Sequence, residues 1–310
     1  MVADRVEEAA LRYVPGVGAV SVERLGRGLV NESHRVMRDG RVYSLRMPTA
    51  EPAPTGVDRE WECRVLALAS AAGIAPVIER CEPRLGVLVA QWQEGRALRA
   101  DEARRPGASV QVAELTRRVH ALPLPSNGRE LGPADWIAHY RDALTRLRSG
   151  EERAPWMQGL EAGADPLRVQ AERRLGALEA LPRPARVLCH SDLHPANLVV
   201  TGRGLVLLDW EYAHVSEALW DLAGWACNND LEPTVRAILL ASYLGRPASG
   251  AEAQRLEDLA WLYDYVCLLW AEVYCGAAGA ADGRILERGR SIAARLSRAS
   301  GGGIAELPAN

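Results

Sequence analysis

The period of the apolar residues changes along the chain and divides it into a short part rich in strands and a longer part rich in helices. The first part contains, in order, a helix at 4–13, strands at about 29–37 and 41–47, a helix from Asp58 to Gly73, and two short strands within "APVIERCEPRLGVLVAQW". Asp39-Gly40 joins the first two strands and is a dipeptide typical of a tight hairpin. Strands on both sides of a single helix indicate a small α+β lobe that ends near Trp92.

After Trp92 the apolar residues recur mainly at helical spacing. Segments with this period lie at 108–121, 133–148, 166–180, 216–228, 233–244, 252–276 and 282–298. Between them, "VLCHSDLHPANLVV" (187–200) and "GLVLLDWEYA" predict a buried strand pair closed by "TGRG", and the final "ASGGGIAELPAN" predicts a loose tail. We therefore expect an N-terminal lobe of residues 1–92 and a mainly helical C-terminal lobe of residues 93–310.

Composition excludes several kinds of protein. The 310 residues carry a net charge of −3, so no bulk attraction to nucleic acid or to an anionic membrane is expected. The sequence has no apolar run of transmembrane length and a charged N-terminus unlike a signal peptide, which predicts a cytoplasmic protein. It also contains no lysine, so all 37 basic side chains are arginines and a Walker-type phosphate loop is excluded.

The six cysteines form no CxxC pair and lie in apolar surroundings. In a chain of this length, such a distribution is typical of buried free thiols in a reducing compartment, and a zinc site is not expected. The cysteines predicted to be reduced are Cys63, Cys81, Cys189, Cys227, Cys267 and Cys275.

A short polar stretch, "HSDLHPAN", interrupts the predicted strand pair. Pro195 prevents a helix there, so Asp192 and Asn197 lie on a loop, and Asp209 follows at the end of the next apolar strand. Asn and Asp oxygens suit Mg²⁺, and a carboxylate outside the metal shell can orient or deprotonate a hydroxyl. The spacing matches the kinase catalytic loop, HRDxxxxN followed by a metal-binding Asp.

On this interpretation Asp192 is the catalytic base, and Asn197 and Asp209 bind Mg²⁺. The alternative is a polar turn whose Asx side chains only cap it. The two histidines are four residues apart, but they lack the helix and the Glu of an HExxH zinc site. We therefore place His190 in the catalytic set as the residue that orients the loop, and we expect His194 to face the substrate.

Residues 187–223, "VLCHSDLHPANLVVTGRGLVLLDWEYAHVSEALWDLA", resemble the core motif of the aminoglycoside phosphotransferase / choline kinase superfamily. The "DWEYA…DLA" version is most similar to bacterial choline-kinase-like and thiamine-kinase-like enzymes, and a weaker resemblance covers residues 20–95. The resemblance implies an α+β, two-lobed, protein-kinase-like fold that transfers the γ-phosphoryl group of ATP to a small-molecule hydroxyl, with ATP and Mg²⁺ as cofactors. It also implies that Asp221 braces the catalytic loop or caps a helix.

The resemblance assigns nucleotide-binding residues in the N-terminal lobe. "LGRGLVNE" carries Gly28 and Asn31 where a kinase loop reads GxGxxG. A glycine-bearing β-turn is the commoner explanation of the motif alone, but its position before a strand with a cation and a helix with an acid favours the loop. The nucleotide-binding lysine of the family falls on Arg46, for which a surface strand arginine is the alternative. Its ion-pair partner is assigned to Glu62, which faces inward on its helix more plausibly than Glu60.

"GVLVAQWQEG" resembles the segment that connects the lobes in this superfamily. Backbone groups of residues 90–92, which include Gln91 and Trp92, would contact the edge of adenine there. The side chains of these residues would matter little.

An aromatic helix, "LEDLAWLYDYVCLLWAEVYCG", contains the candidate acceptor site. Trp270 and Tyr274 lie four residues apart on one face, which indicates either core packing or an aromatic box for a cationic alcohol. Trp270 matches the second Trp of the Trp-x-x-Trp pair of choline kinases, but Cys267 stands in the first place, which leaves thiamine or another amine alcohol open. Glu211 and His194 are further candidate contacts of the acceptor.

Three interpretations follow from these patterns. The first is a kinase for an amine alcohol such as choline, ethanolamine or thiamine. The second is an aminoglycoside phosphotransferase with the same machinery, and the third is an inactive nucleotide-binding protein, favoured by Arg46 in place of lysine. A protein kinase is disfavoured, because no APE-like anchor lies between Asp209 and Asp221. The patterns do not predict the oligomeric state.

Overall fold

Five antiparallel strands form the N-terminal sheet in the spatial order β1-β2-β3-β5-β4. Their bounds are Val20–Arg27 (β1), Asn31–Arg38 (β2), Arg41–Pro48 (β3), Ile78–Glu82 (β4) and Val87–Gln91 (β5). Helix α1 (Val2–Tyr13) precedes the sheet, and helix α2 (Arg59–Ala71) lies between β3 and β4 in the chain. The computed structural model describes residues 2–27, 31–49, 56–147, 166–278 and 283–299.

Asp39 and Gly40 form the predicted turn between β2 and β3, with φ angles of 49° and 73°. Two successive positive φ angles are those of a type I′ turn, which suits the twist of a hairpin. The Asp39 carboxylate also accepts the backbone N–H groups of Val17 and Gly18, at 2.9 and 3.1 Å. The same side chain therefore ties the segment before β1 to the hairpin.

Two apolar clusters contact the N-terminal sheet, and helix α2 belongs to the one against which Ile78 of β4 and Leu88 of β5 pack. One face of the sheet packs against α1 in a cluster of Val6, Ala9, Ala10, Val14, Val36, Tyr43, Leu45, Met47, Val87 and Val89. Helix α2 buries Trp61, Val65, Leu66 and Ala69 in a larger cluster shared with the C-terminal helices. The helix begins where Asp58 accepts the Trp61 backbone N–H at 3.0 Å, as an N-cap does.

The larger, C-terminal part is mainly helical. Its helices are α3 (Ala100–Ala103), α4 (Pro106–His120), α5 (Pro133–Leu147), α6 (Pro166–Glu179), α7 (Leu219–Asn228), α8 (Pro233–Leu244), α9 (Gly250–Ala278) and α10 (Gly283–Ala299). Helix α9 packs against α5, α7 and α10 and is the centre of this part. Among the helices of the described residues, none is both long and apolar enough to cross a membrane.

Short strands in this part hold the polar stretch from both sides. They are β6 (Arg96–Ala97), β7 (Arg186–Cys189), β8 (Leu198–Thr201), β9 (Gly204–Leu207) and β10 (His214–Glu217). Strands β8 and β9 form the predicted hairpin, with β6 as a third strand, whereas β7 pairs with β10. The apolar flanks of the stretch thus belong to two different sheets, and the loop between them is fixed at both ends.

The predicted α+β fold with two unequal parts is confirmed, with two local errors. The pattern missed β1, because this edge strand leaves most of its described side chains exposed and has little apolar alternation. It also began a helix at residue 216, whereas the structure has β10 there and begins α7 at Leu219. The boundary at Trp92 stays a prediction, and the predicted tail and Gly28 lie outside the described residues.

The expectation that all cysteines are free thiols is wrong. Cys63 on α2 and Cys81 on β4 form a disulfide, and both residues are half-buried. Cys189 and Cys227 are buried free thiols, as expected. The pairing leaves no signal in the sequence, because the two cysteines are 18 residues apart and meet only when α2 packs beside the sheet.

Candidate active site

Asp221 holds the backbone of the loop between β7 and β8. Its two carboxylate oxygens accept the backbone N–H groups of His190 at 2.9 Å and of Ser191 at 2.6 Å. Ser191 has a φ of 69°, a left-handed conformation that is unfavourable for a residue with a Cβ. Of the two roles that the resemblance implies for Asp221, the geometry therefore supports bracing the loop.

His120, which sequence reasoning missed, supports Asp221 in turn. Its Nε2 lies 3.1 Å from Asp221 Oδ2, and its Nδ1 lies 2.8 Å from the Tyr243 hydroxyl. Burial raises the pKa of Asp221, but the hydrogen bonds with His120 and with the loop backbone lower it by more. The pKa therefore lies below its ordinary value. The position of His120 at the end of α4 is far from the motif in sequence, and no local pattern identifies it.

His190 is completely buried and contacts the loop itself. Its Nε2 donates to the Leu208 carbonyl at 2.9 Å, and its Nδ1 accepts the Asp192 backbone N–H at 3.3 Å. Its ring packs edge-on against Trp210, with 4.9 Å between centroids, and burial lowers its pKa. These contacts make His190 a positioning residue that joins the loop to the end of β9.

Asp192 and His194 form an ion pair at the surface of the loop. Their side chains are 26% and 28% exposed, and Asp192 Oδ2 lies 3.4 Å from His194 Nε2. Burial raises the pKa of Asp192, but the neighbouring His194 and His190 lower it more, so the carboxylate is ionised at neutral pH. Burial lowers the pKa of His194, but the Asp192 carboxylate raises it by more, so the pKa lies above its ordinary value.

Asn197 lies beside Asp192 with its amide nitrogen engaged. Asn197 Nδ2 donates to the Asp192 carbonyl at 3.0 Å and to the Asp192 carboxylate at 3.1 Å. Its backbone carbonyl accepts the Leu208 N–H at 2.8 Å, which joins the loop to the strand before Asp209. Since the amide nitrogen is engaged in this way, the amide oxygen is the atom of Asn197 that can coordinate a cation.

Asp209 follows β9 in a left-handed conformation, with a φ of 58°. Its side chain is 37% exposed, and one carboxylate oxygen accepts from Arg46 Nη1 at 3.1 Å. Burial raises its pKa; Arg46 opposes this, whereas Glu62 and Asp192 raise the pKa further. A carboxylate that is destabilised by neighbouring carboxylates is stabilised by a divalent cation, so Asp209 and the Asn197 oxygen fit a Mg²⁺ site.

Arg46 on β3 and Glu62 on α2 form a buried, bidentate ion pair. The two guanidinium nitrogens donate to the two carboxylate oxygens at 2.6 and 2.7 Å, and the side chains are 10% and 1% exposed. Burial raises the pKa of Glu62, but Arg46 and Arg59 lower it below its ordinary value. Glu60, the alternative on the same helix, is exposed.

Arg59 joins the glycine-rich segment to the loop after Asp209. Its guanidinium donates to Asn31 Oδ1 at 2.8 Å and to Glu211 Oε2 at 3.0 Å, and Asn31 Nδ2 donates to the same Glu211 oxygen at 2.8 Å. Burial raises the pKa of Glu211 to about 7, helped by Asp209 and opposed by Arg46 and Arg59. Sequence reasoning missed Arg59, although its position three residues before Glu62 on one helix face was a signal.

The N-terminal sheet engages two of the backbone donors of residues 90–92, whereas the contact of the other backbone groups there with adenine stays a prediction. The backbone N–H of Gln91 donates to the Val77 carbonyl at 2.8 Å, and that of Trp92 donates to the Val42 carbonyl at 3.0 Å. These two donors hold the sheet together, so they are not available to read the edge of a base. The Gln91 side chain bonds Glu79 at 2.8 Å, and the Trp92 ring lies under the Arg35 guanidinium at 5.5 Å.

Trp270 and Tyr274 stack on α9, with 5.5 Å between ring centroids and 16° between planes. Trp270 Nε1 donates to the Tyr212 hydroxyl at 3.0 Å, which places the aromatic pair against the segment that follows Asp209. Both rings are half-buried. Tyr263, two turns before Trp270 on α9, is buried and donates to the Ser191 carbonyl at 3.4 Å.

Comparison with known proteins agrees with this geometry. The sequence model of the phosphotransferase enzyme family matches residues 21–259. Choline kinase alpha of Mus musculus is 25% identical over 145 residues, which are 44% of this chain and 31% of the mouse protein. The matched stretch thus spans less than a third of that relative.

Solved structures of kinases and phosphotransferases share the fold. A choline/ethanolamine kinase family protein from Mesorhizobium loti has a TM-score of 0.71 at 24% identity and covers 96% of this chain and 94% of its own. The choline kinase LicA from Streptococcus pneumoniae has a TM-score of 0.75 at 21% identity, with 96% and 99% covered. The macrolide 2'-phosphotransferase MphH from Brachybacterium faecium has a TM-score of 0.60 at 20% identity, with 94% and 97% covered.

The family match covers most of the chain, and hydrogen bonds join the residues of the kinase motif in a kinase-like fold. The chain therefore belongs to the phosphotransferase enzyme family.

Proposed function

We propose that the protein transfers the γ-phosphoryl group of ATP to a hydroxyl of a small amine alcohol, with Mg²⁺ as cofactor. The observation that carries the proposal is a series of hydrogen bonds. Asn197 bonds to Asp192 and to the backbone before Asp209, and Asp209 bonds to Arg46. This series joins a base, two cation ligands and a phosphate-binding arginine across the cleft between the sheet and the helical part.

Arg46 is the phosphate-binding residue of this proposal. A guanidinium can bind two phosphate oxygens at once, and Glu62 holds it in a fixed orientation from the other side. Asn197 and Asp209 would hold Mg²⁺, which supplies neutralisation of phosphate charge when it is bound. Arg46 is therefore a replacement for the lysine of related enzymes that keeps the positive charge at that place.

Asp192 is the group that meets the acceptor hydroxyl. Its carboxylate is ionised and partly exposed, so it can accept a hydrogen bond from the hydroxyl and orient its oxygen for in-line attack. The hydrogen bonds from Asn197 and the ion pair with His194 fix the direction in which the carboxylate points. Catalysis by this chain is then mainly orientation of the two substrates.

The stacked pair of Trp270 and Tyr274 supports a cationic acceptor. A quaternary or protonated amine is attracted to the face of an aromatic ring by about 0.5–2 kcal/mol, and the two rings lie on the same side of the cleft as Tyr212. Cys267 stands one turn before Trp270 on α9. It takes the place of an aromatic residue of choline kinases, which leaves room for a bulkier amine alcohol than choline.

An assay of ATP consumption tests the proposal. Choline, ethanolamine, thiamine, sugars and aminoglycosides are each offered with Mg·ATP to the wild-type protein and to Asp192→Ala. We expect one of the amine alcohols to be consumed by the wild type alone. Consumption of an aminoglycoside only would transfer the assignment to antibiotic phosphorylation, and Mg·ATP binding without turnover of any acceptor would favour an inactive nucleotide-binding protein.

A further inference from the structure

The Cys63–Cys81 disulfide joins helix α2 to the edge strand of the N-terminal sheet. Cys63 lies on α2, whose apolar face belongs to the core of the helical part, and Cys81 lies on β4, whose Ile78 packs against the same core from the sheet. A covalent bond at this point limits the movement of the sheet edge relative to α2. Such movement would change the width of the cleft between the sheet and the helical part.

The tether lies next to the residue that orients the phosphate-binding arginine. Cys63 directly follows Glu62, whose carboxylate receives both guanidinium nitrogens of Arg46 from β3. Because Arg46 and Cys81 are on the sheet and Glu62 and Cys63 are on the helix, the ion pair and the disulfide span the same gap. With the disulfide intact, Glu62 stays within hydrogen-bonding distance of Arg46, and the guanidinium stays in one orientation.

The two bonded cysteines are half-buried, as are Cys267 and Cys275, so a thiol reagent can reach all four. Cys189 and Cys227 are buried, with 0% and 4% of their surface exposed. Burial raises the pKa of both buried thiols well above the ordinary value, and a protonated, inaccessible thiol does not exchange. Thiol–disulfide exchange therefore discriminates between the Cys63–Cys81 pair and the buried thiols.

The geometry points to Cys63 and Cys81 as a redox-sensitive modification site that fixes α2 against the sheet and so sets the affinity of the cleft for Mg·ATP. The nucleotide part of this inference rests on the proposed function. In the oxidised protein Glu62 and Arg46 stay within hydrogen-bonding distance, and the protein binds Mg·ATP more tightly. The reduced protein loses the tether, so the Arg46 side chain loses orientational freedom when the nucleotide binds, and this entropy loss weakens binding.

The Cys63–Cys81 bond forms by thiol–disulfide exchange with a low-molecular-weight disulfide, such as oxidised glutathione, which is the oxidant. The thiolate of one cysteine attacks a sulfur of the small disulfide, and a mixed disulfide forms as one small thiolate leaves. The second cysteine thiolate then attacks the protein sulfur of that mixed disulfide, the Cys63–Cys81 bond forms and the second small thiolate leaves. The protein loses two electrons and two protons, and the small disulfide gains them as two thiols.

Peptide mapping tests whether the bond forms in the protein. Trypsin releases Cys63 in the peptide of residues 60–64 and Cys81 in the peptide of residues 81–84. After incubation of the folded protein with oxidised glutathione, mass spectrometry without reductant should find these two peptides linked, and a dithiol reductant should separate them. If the two peptides stay unlinked after oxidation, the inference is overturned.

Calorimetric titration with Mg·ATP tests the coupling and needs no acceptor. We expect the affinity of the wild type to fall by about fivefold or more on reduction, the usual size of coupling between two sites. Cys63→Ser and Cys81→Ser should bind like the reduced wild type in both conditions, and the control Cys275→Ser should respond like the wild type. Equal affinities of the oxidised and reduced wild type would contradict the inference, even if neither serine variant folds.

Hydrogen exchange separates this inference from the proposed function. The backbone of α2 should exchange faster in the reduced than in the oxidised wild type, whether or not nucleotide binds. If Mg·ATP binds in neither state, the proposed function fails, and faster exchange in the reduced form still supports the tether. Equal exchange in both states overturns it.

Discussion

Arg46 donates to both carboxylate oxygens of Glu62, at 2.6 and 2.7 Å, and one of the same two nitrogens also reaches Asp209 at 3.1 Å. A lysine ammonium has three donors on a single atom, whereas the guanidinium spreads its donors over a planar fork. The arginine can therefore contact the helix and the opposite side of the cleft at the same time. In a chain without lysine, this geometry keeps a fixed cation where the family has an ammonium.

Glu62→Ala should destabilise the protein. The substitution leaves the Arg46 guanidinium buried beside the Arg59 side chain without its shared counter-charge, and breaking a buried ion pair in this way costs about 3–5 kcal/mol. The free energy of unfolding in urea measures the loss. The matched control is Glu60→Ala on the exposed face of the same helix, which should change the free energy by no more than about 0.5 kcal/mol. Equal losses for the two variants would contradict the buried pair.

Asp192→Asn should abolish most of the turnover while the protein still binds Mg·ATP. Loss of a general base typically lowers the rate by about 10²–10⁴-fold, and the amide keeps the shape of the side chain and its place beside Asn197. Steady-state kinetics with the acceptor found in the ATP-consumption assay, together with calorimetric titration of Mg·ATP, separate the two effects. A variant with near wild-type kcat would remove Asp192 from the role of base.

Local signals predicted the parts of the fold and site that depend on nearby residues. The β2–β3 hairpin follows from Asp39-Gly40, and the inward direction of Glu62 follows from the helical period, because both depend on contacts within a few residues. The Cys63–Cys81 bond and the support of Asp221 by His120 join distant segments. No local pattern encodes such pairs, so they could not be predicted from one sequence.

Sequence distance also limits the prediction for residues 90–92. The resemblance places the adenine-reading groups there, but strand register decides which backbone donors are free. The structure pairs Tyr43 with Gln91 and gives the Trp92 N–H to Val42. Register depends on which strands become neighbours, and the spatial order β3-β5-β4 was not readable from the apolar pattern.

Asp209→Asn should weaken the binding of the Mg²⁺ that activity requires. The change removes one negative charge from the predicted cation site, so the Mg²⁺ concentration for half-maximal activity should rise by at least about tenfold. Asn197→Ala should shift it in the same direction, because the two oxygens are predicted to bind one ion. Titration of activity with MgCl₂ at fixed ATP measures both shifts, and an unchanged midpoint for both variants would exclude this pair as the metal site.

Trp270→Leu should affect the acceptor and leave the nucleotide unaffected. A cation–π contact of about 0.5–2 kcal/mol corresponds to an increase of about twofold to thirtyfold in the KM of a cationic acceptor. The KM for ATP should stay at the wild-type value, because Trp270 contacts Tyr274 and Tyr212, whereas Arg46 pairs with Glu62 and Asp209. A rise in the KM for ATP instead would place Trp270 on the nucleotide side of the cleft.

His214 should make the stability of the protein fall in mild acid. It is completely buried on β10, where its Nδ1 lies 3.0 Å from the Ser191 hydroxyl and 2.9 Å from the Tyr212 carbonyl. Burial lowers its pKa to about 4, below the ordinary value of 6.5, with smaller opposing contributions from the Tyr212 carbonyl and Asp221. The unfolded chain therefore takes up this proton first as the pH falls.

The sign of the effect follows from that order of protonation. Because the folded pKa is depressed, the contribution of His214 is fully present above pH 6.5 and is lost as the pH falls toward 4. The loss amounts to about 3 kcal/mol over this window. Urea unfolding of the wild type and of His214→Gln at pH 7, 6 and 5 measures it: the wild type should lose more stability than the variant at each step. Parallel losses in the two proteins would show that other groups carry the acid sensitivity and that His214 titrates near its ordinary pKa.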